Sequence, residues 1–196
     1  MKTVAIVILS VFAAVLFGIV HDQITTRICL EYFTIGHPKV INSESPTLLA
    51  FTWGVLATWW VGVILGFPLA VSSRVGKWPK LTYKDQEKPL LYMVMIMFAC
   101  ALLVGAAAFS FTHSLPPGSF TDILGPRILP EVQNRFVVVW AMHLTSYAAG
   151  FIGGITLIVR TILIRKRTKT TEPNQALEPT TLSVTFCAPS RTDRAS

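Results

Sequence analysis

Histidine is the residue type in this sequence that offers the most chemistry. The chain has four histidines, His21, His37, His113 and His143, and His21 is followed directly by Asp22. Neutral imidazole and carboxylate groups are typical ligands of first-row transition metals. The candidate ligands are His21, His113 and His143, with Asp22 as an oxygen donor, although no H-x-x-x-H or C-x-x-C spacing is present. Orientation of a quinone head group and plain hydrogen bonding between helices remain open as alternatives.

The elements that must position these histidines are apolar helices. Of the 196 residues, 52% are hydrophobic and only 14% are charged, well below the quarter or so that is usual for a soluble domain. The apolar residues form four uninterrupted blocks, at 4–20, 47–71, 90–111 and 136–159. Each block is long enough, or nearly so, to cross about 30 Å of hydrocarbon as a helix. The sequence therefore predicts an all-α fold, a four-transmembrane-helix bundle within 1–169.

The distribution of lysine and arginine predicts the orientation of this bundle. The connection between the second and third blocks and the segment after the fourth carry five basic residues each, whereas the other two loops carry two each. Because basic loops stay on the cytoplasmic side, both termini are predicted to be cytoplasmic, with loops one and three outside. The net charge of +7 is then mainly a topology signal, and no nucleic-acid partner is expected.

This topology places all four histidines in the outer half of the membrane or beyond it. His143 lies deepest, roughly 10 Å below the start of its helix at 1.5 Å per residue. Ionisable residues within a membrane usually face a bundle interior or a wet cavity, which makes His143 a functional candidate. The candidate outer-side polar site comprises His21, Asp22, Gln23, Arg27, Glu31, His113, His143, Ser146 and Tyr147.

Several other kinds of active site are not supported by the sequence. There is no Walker loop, no H-E-x-x-H and no G-x-S-x-G motif, and no acid lies within a block. Only His143 is deep enough to ligate a haem, and the three cysteines, Cys29, Cys100 and Cys187, fall in three different regions. These absences favour a protein that is not an enzyme.

Small residues four apart predict where the helices pack. Gly62 and Gly66 in the second block, and Gly150 and Gly154 in the fourth, lie at matching depth. Such small-xxx-small pairs let helix backbones approach closely in lipid. The two motifs are therefore expected to pack helices together and could pair with each other.

Loop one carries a resemblance as well as polar groups. It reads H-D-Q from His21 to Gln23 and E-Y-F-T from Glu31 to Thr34, and Arg27 and Glu31 are spaced for an ion pair on a helix. Over 21–38 this stretch resembles an uncharacterised family of small bacterial four-span inner-membrane proteins, which has no assigned activity. The resemblance implies a bacterial inner-membrane location and a functional loop one.

The two ends of the chain are predicted to differ. The first block lacks a good A-x-A cleavage site, so it is expected to be retained as a helix rather than removed as a signal peptide. The tail, 170–196, is rich in Thr, Pro, Ser, Glu and Arg, and is expected to be disordered. Within it, 174–181 resembles a short peptide found at the ends of unrelated bacterial proteins, so no function is attached to it.

These features leave three functions open. The first is a non-enzymatic membrane protein that binds a partner, or assists assembly, through loop one; its partners would be other membrane proteins or a second copy, within the lipid bilayer. The second is a redox protein associated with a metal ion or quinone through the outer histidines. The third is a small transporter that acts as an oligomer.

Overall fold

The computed structural model describes residues 2–175, with side chains described to residue 168, and this part of the chain contains helices and no strand. Polar residues extend the helices past the apolar blocks. The helices are α1 Lys2–Ile28, α2 Glu31–Thr34, α3 Pro46–Leu56, α4 Trp59–Arg74, α5 Tyr83–His113, α6 Thr121–Leu124 and α7 Pro130–Gln175.

Four stretches of helix are long and apolar enough to cross a membrane, which confirms the predicted four-helix architecture. They are Lys2–Ile28, Pro46–Arg74, Tyr83–His113 and Pro130–Thr168. The start of α5 illustrates why they exceed the apolar blocks: the Thr82 backbone N–H and hydroxyl both donate to the Asp85 carboxylate, at 2.7 and 2.8 Å, and cap the helix before its first apolar turn.

The second span is not one continuous helix. It breaks at Ala57 and Thr58, between α3 and α4. At the break the Thr58 hydroxyl donates to the Gly54 carbonyl, and α1 comes so close that a Cβ on Gly18 would lie 2.5 Å from that same carbonyl oxygen. The contact between α1 and the second span at this level therefore requires glycine at position 18.

The long helices form two packed pairs. α1 packs against α3 and α4, and α5 packs along α7, with further contacts between α1 and α5 and between α4 and α7. One end of the bundle contains the end of α1 and the start of α7, together with His21 and His143; we call it the histidine end. The opposite end contains the end of α4 and the start of α5, and we call it the Arg165 end.

Both glycine motifs lie at contacts between helices, but the pairing of the two motifs that the sequence left open does not occur. A Cβ on Gly62 would meet Val11 of α1 at 2.6 Å, and one on Gly66 would meet Ser10. Gly150 faces Met97 of α5, and Gly154 faces the Leu65 side chain of α4. Because α4 uses its glycines to approach α1, the two motifs do not pair.

The Arg165 end is held by buried polar contacts. Gln86 of α5 donates to the hydroxyls of Ser73 on α4 and Thr161 on α7, both at 3.1 Å. Arg165 of α7 is only 2% exposed and donates to four backbone carbonyls at and after the end of α4. These bonds tie three helices together.

The tail differs in part from its prediction. Helix α7 continues to Gln175, within the stretch that was expected to be disordered. The rest of that stretch, 176–196, lies outside the described residues, as does Met1.

Candidate metal centre at the histidine end

The centre of the site is a carboxylate between two histidines. His21 and Asp22 lie on the inward face near the end of α1, and His143 lies on α7. The Asp22 Oδ1 atom is 3.3 Å from His21 Nδ1 and 3.3 Å from His143 Nε2. All three side chains are buried, with exposures of 3%, 5% and 6% for His21, Asp22 and His143. The helical phase of α1 and α7 thus brings together residues that are far apart in sequence.

The far side of the His143 ring fixes which nitrogen carries its proton. Nδ1 lies 2.9 Å from the Val139 carbonyl oxygen, one turn earlier on α7. A carbonyl can only accept, so Nδ1 must donate. In neutral His143 the lone pair is therefore on Nε2, the nitrogen that faces Asp22.

Ser146 has the same effect on His21. Its hydroxyl donates to the Met142 carbonyl at 2.9 Å, and its oxygen lies 3.2 Å from His21 Nε2, from which it accepts in the tautomer that is protonated at Nε2. Neutral His21 then carries its lone pair on Nδ1, which also faces Asp22. Both imidazoles thus direct a lone pair at the same carboxylate oxygen.

Such an arrangement is suited to a cation, either a proton on one imidazole, which gives a histidine–aspartate ion pair, or a metal ion. His21, Asp22 and His143 each offer one ligand atom, and these atoms lie within 4.8 Å of one another. Two imidazole nitrogens and one carboxylate oxygen match the ligand set of non-haem iron sites and of some zinc sites. The hydrogen bonds to Val139 and Ser146 are the kind of second contact that orients a metal-binding histidine.

Loop one covers the site with aromatic side chains. Tyr32 and Phe33 of α2 lie against His143, with ring centroids 4.7 and 5.8 Å away. They belong to an apolar cluster with Cys29 and Leu49 that packs on the first turns of α7 around Phe136. This packing buries the apolar side chains of loop one and shields the histidines from bulk water.

Burial also changes the acidity of two side chains in this cluster. It raises the pKa of the Cys29 thiol to about 11, so Cys29 is a neutral thiol at physiological pH. Burial likewise raises the pKa of the Tyr32 phenol above its usual range. Neither group is an anionic ligand under ordinary conditions.

A small cavity adjoins the three ligand atoms. Its volume is about 30 Å³, close to the share of one water molecule in the liquid. His21, Asp22 and His143 line it on one side, and Trp53 and His37 line it as well. The buried Trp53 indole N–H has no hydrogen-bond partner in the described part of the chain. The cavity therefore offers room, and a donor in its wall, for one small molecule beside the ligands.

The structure gathers some of the predicted site residues and separates others. Ser146 and Tyr147 lie at the site, the latter with its ring centroid 6.4 Å from that of His143. Exposed His113 ends α5 and contacts Phe109, so it is not part of the cluster.

The charge network expected in loop one does not form. Arg27 donates to the Gln23 side chain at 2.7 Å and to the Thr47 hydroxyl at 3.0 Å, while Glu31 accepts from the Cys29 thiol. The helix ends at Ile28, before the i to i+4 contact between Arg27 and Glu31 could be made. Asp22 instead contacts His21 and His143.

Sequence reasoning missed the aromatic wall of the site. Tyr32, Phe33, His37 and Trp53 were not among the candidate residues, although loop one was. Their spacing carries no helical period, and the only signal was the aromatic density of E-Y-F-T.

No family model, no curated protein and no solved structure matches this chain.

Proposed function

We propose that this chain is a multi-pass membrane protein that holds a divalent transition-metal ion between His21, Asp22 and His143. The observation that carries the proposal is the convergence of two imidazole lone pairs and one carboxylate oxygen in a buried space. Without a proton or a metal ion between them, these three acceptors would repel one another, and burial would strengthen the repulsion.

The remaining space argues for an open metal site rather than a closed structural one. Structural zinc sites have four protein ligands, whereas catalytic sites keep a position for water or substrate. Three protein ligands beside a cavity of about 30 Å³ fit the second pattern. The positive-inside distribution supports placing this site at the outer face of the membrane. The resemblance of loop one supports a bacterial inner membrane as the location.

Partner binding through loop one stays a prediction. The packing of Tyr32 and Phe33 against α7 gives that loop a role as the cover of the metal site, which does not require a partner. The metal function is preferred because a metal ion would be bound by the nitrogen of each histidine that faces Asp22, while Val139 or Ser146 orients the other nitrogen of the ring.

The test is metal analysis of the purified protein. The protein is prepared in detergent without a metal-binding tag, incubated with Fe²⁺, Zn²⁺ or Mn²⁺ in turn, desalted and analysed for elements. We expect about one tightly held ion per chain for one of these metals. His143→Ala and Asp22→Asn should lose it, whereas His113→Ala should keep it.

The variants need a check on folding. Size-exclusion profiles and helical circular dichroism should be unchanged in His143→Gln, which keeps a polar side chain of similar size. The proposal fails if the wild-type protein retains none of the three metals. It also fails if folded His143→Gln and His113→Ala retain the same amount as the wild type.

A further inference from the structure

A larger cavity lies in the middle of the bundle. Its volume is about 360 Å³, within the range of small-molecule sites, and α1, α4, α5 and α7 all line it. Small residues on two facing helices create the space, namely Ala13 and Ala14 on α1 and Gly150 and Gly154 on α7.

No charged side chain lines this cavity. Its polar side chains are hydroxyls and the Trp60 indole, and the hydroxyls of Ser10, Thr58 and Ser146 already donate to the carbonyls four residues earlier. The Tyr147 hydroxyl makes no hydrogen bond with the described residues, so it is the one hydroxyl free to donate to a ligand. A phosphate or carboxylate bound here would be buried without a counter-charge, which is strongly unfavourable.

The cavity reaches both the lipid and the metal centre. Trp60, Ile64 and Phe151 line it and are also 48%, 59% and 63% exposed, which opens it to the bilayer side of α4 and α7. At its other end, Phe17, Thr58, Ser146 and Tyr147 line both this cavity and the small one at the histidines. Ser146 itself touches His21.

We propose that this cavity binds a prenylated quinone or quinol. The ring would lie at the end beside Ser146 and Tyr147, and the isoprenoid chain would leave towards the lipid past Trp60 and Phe151. Such a molecule enters from the bilayer, carries no charge and presents oxygen acceptors to Tyr147. The adjacency of the ring to a metal rests on the proposed function, but the cavity and its ligand do not.

The experiment is a titration with decylubiquinone, followed by quenching of tryptophan fluorescence, because Trp60 lines the cavity. The protein is kept in nanodiscs of uncharged lipid. We expect saturable quenching by the wild type. Ala14→Phe, which fills the cavity, should weaken apparent affinity by at least about tenfold, equivalent to about 1.4 kcal/mol. The matched control is Ala107→Phe, the same substitution at an exposed position of α5 that does not line the cavity; it should bind as the wild type does.

A second variant guards against misfolding of Ala14→Phe. Tyr147→Phe removes one hydroxyl and should weaken binding by about threefold to tenfold, the usual value of one neutral hydrogen bond. Organic extraction of the protein from its native membrane should also release quinone. Equal affinities for Ala14→Phe, Tyr147→Phe and wild type would overturn the proposal, and so would extraction of a stoichiometric phospholipid without quinone.

Metal content measured in the same samples separates the two proposals. Ala14→Phe should retain the metal and lose quinone binding, whereas His143→Gln should lose the metal and still bind quinone. Quinone binding by a wild-type protein that holds no metal would overturn the metal site alone. Metal retention without saturable quenching would overturn the quinone site alone.

Discussion

At the scale of single residues, the proposed metal site depends on groups that do not face Asp22. The Asp22 oxygen meets two nitrogens, and in neutral rings each of these nitrogens is unprotonated when the opposite nitrogen donates to Val139 or Ser146. His143 relies on a backbone carbonyl of its own helix, which no substitution removes. His21 relies on the Ser146 side chain, which can be changed.

Ser146→Ala tests this dependence. Without the hydroxyl acceptor, His21 Nε2 loses its partner, and the proton is free to move to Nδ1, where it blocks metal binding. Loss of such a supporting contact typically costs about 10- to 100-fold in metal affinity. We expect a weakening in this range, measured by competition with a chromophoric chelator.

The control for this variant is Thr145→Ala on the neighbouring position. The Thr145 hydroxyl also donates to a carbonyl one turn earlier, Ala141, but it touches no histidine. Its removal should leave metal affinity unchanged. If the two variants bound metal equally well, the assignment of the His21 proton to Nε2 would be wrong.

At the scale of helices, the backbone at and after the end of α4 is hydrogen-bonded by one side chain of α7, that of Arg165. A helix leaves its last carbonyls without partners, and here the Arg165 guanidinium satisfies that of Ser72 in α4 and that of Val75 directly after it, together with two carbonyls of the following connection. Its Nε donates to Pro79 O at 2.7 Å, and one terminal nitrogen donates to Val75 O and Trp78 O at 3.0 and 3.1 Å. Trp78 also lies under the charge, 5.9 Å from ring centre to guanidinium carbon.

Arg165→Lys should therefore destabilise the bundle although the charge is kept. A lysine ammonium cannot reproduce the planar set of donors, so buried carbonyls lose their partners. We expect the free energy of unfolding to fall by about 2–4 kcal/mol, measured by denaturation in mixed micelles.

Arg160→Lys provides the matched comparison, because Arg160 is exposed on the same helix. Its effect should stay within about 0.5 kcal/mol. An equal, small effect of both substitutions would show that the carbonyl contacts of Arg165 do not hold α4 in place.

At the scale of the whole molecule, hydropathy predicted the helices well because lipid leaves few alternatives to an apolar helix. The rarity of an ionisable residue in a span drew attention to His143, and the predicted topology placed His21 and Asp22 on the same side, but neither signal showed that these residues touch. Contact with Asp22 depends on the rotation of α1 and α7 about their axes, and uniformly apolar helices carry no pattern that reveals it. The break at Thr58 and the role of Arg165 depend on tertiary contacts in the same way.

The orientation of the four spans is a prediction at this same scale. Alkaline phosphatase fused after Lys39 or Arg127 should be active, because those loops are expected outside. Green fluorescent protein fused after Lys80 or Lys169 should fluoresce, because those positions are expected in the cytoplasm. The opposite pattern at all four positions would place the histidine end in the cytoplasm.

The order of the ligands along the chain has a consequence for biosynthesis. His21 and Asp22 leave the ribosome with the first span, whereas His143 arrives with the last. The three ligand atoms can meet only after the whole membrane domain has been synthesised and α7 has docked. The centre is therefore assembled late, and any ion must be loaded into a nearly finished bundle rather than carried along with the growing chain.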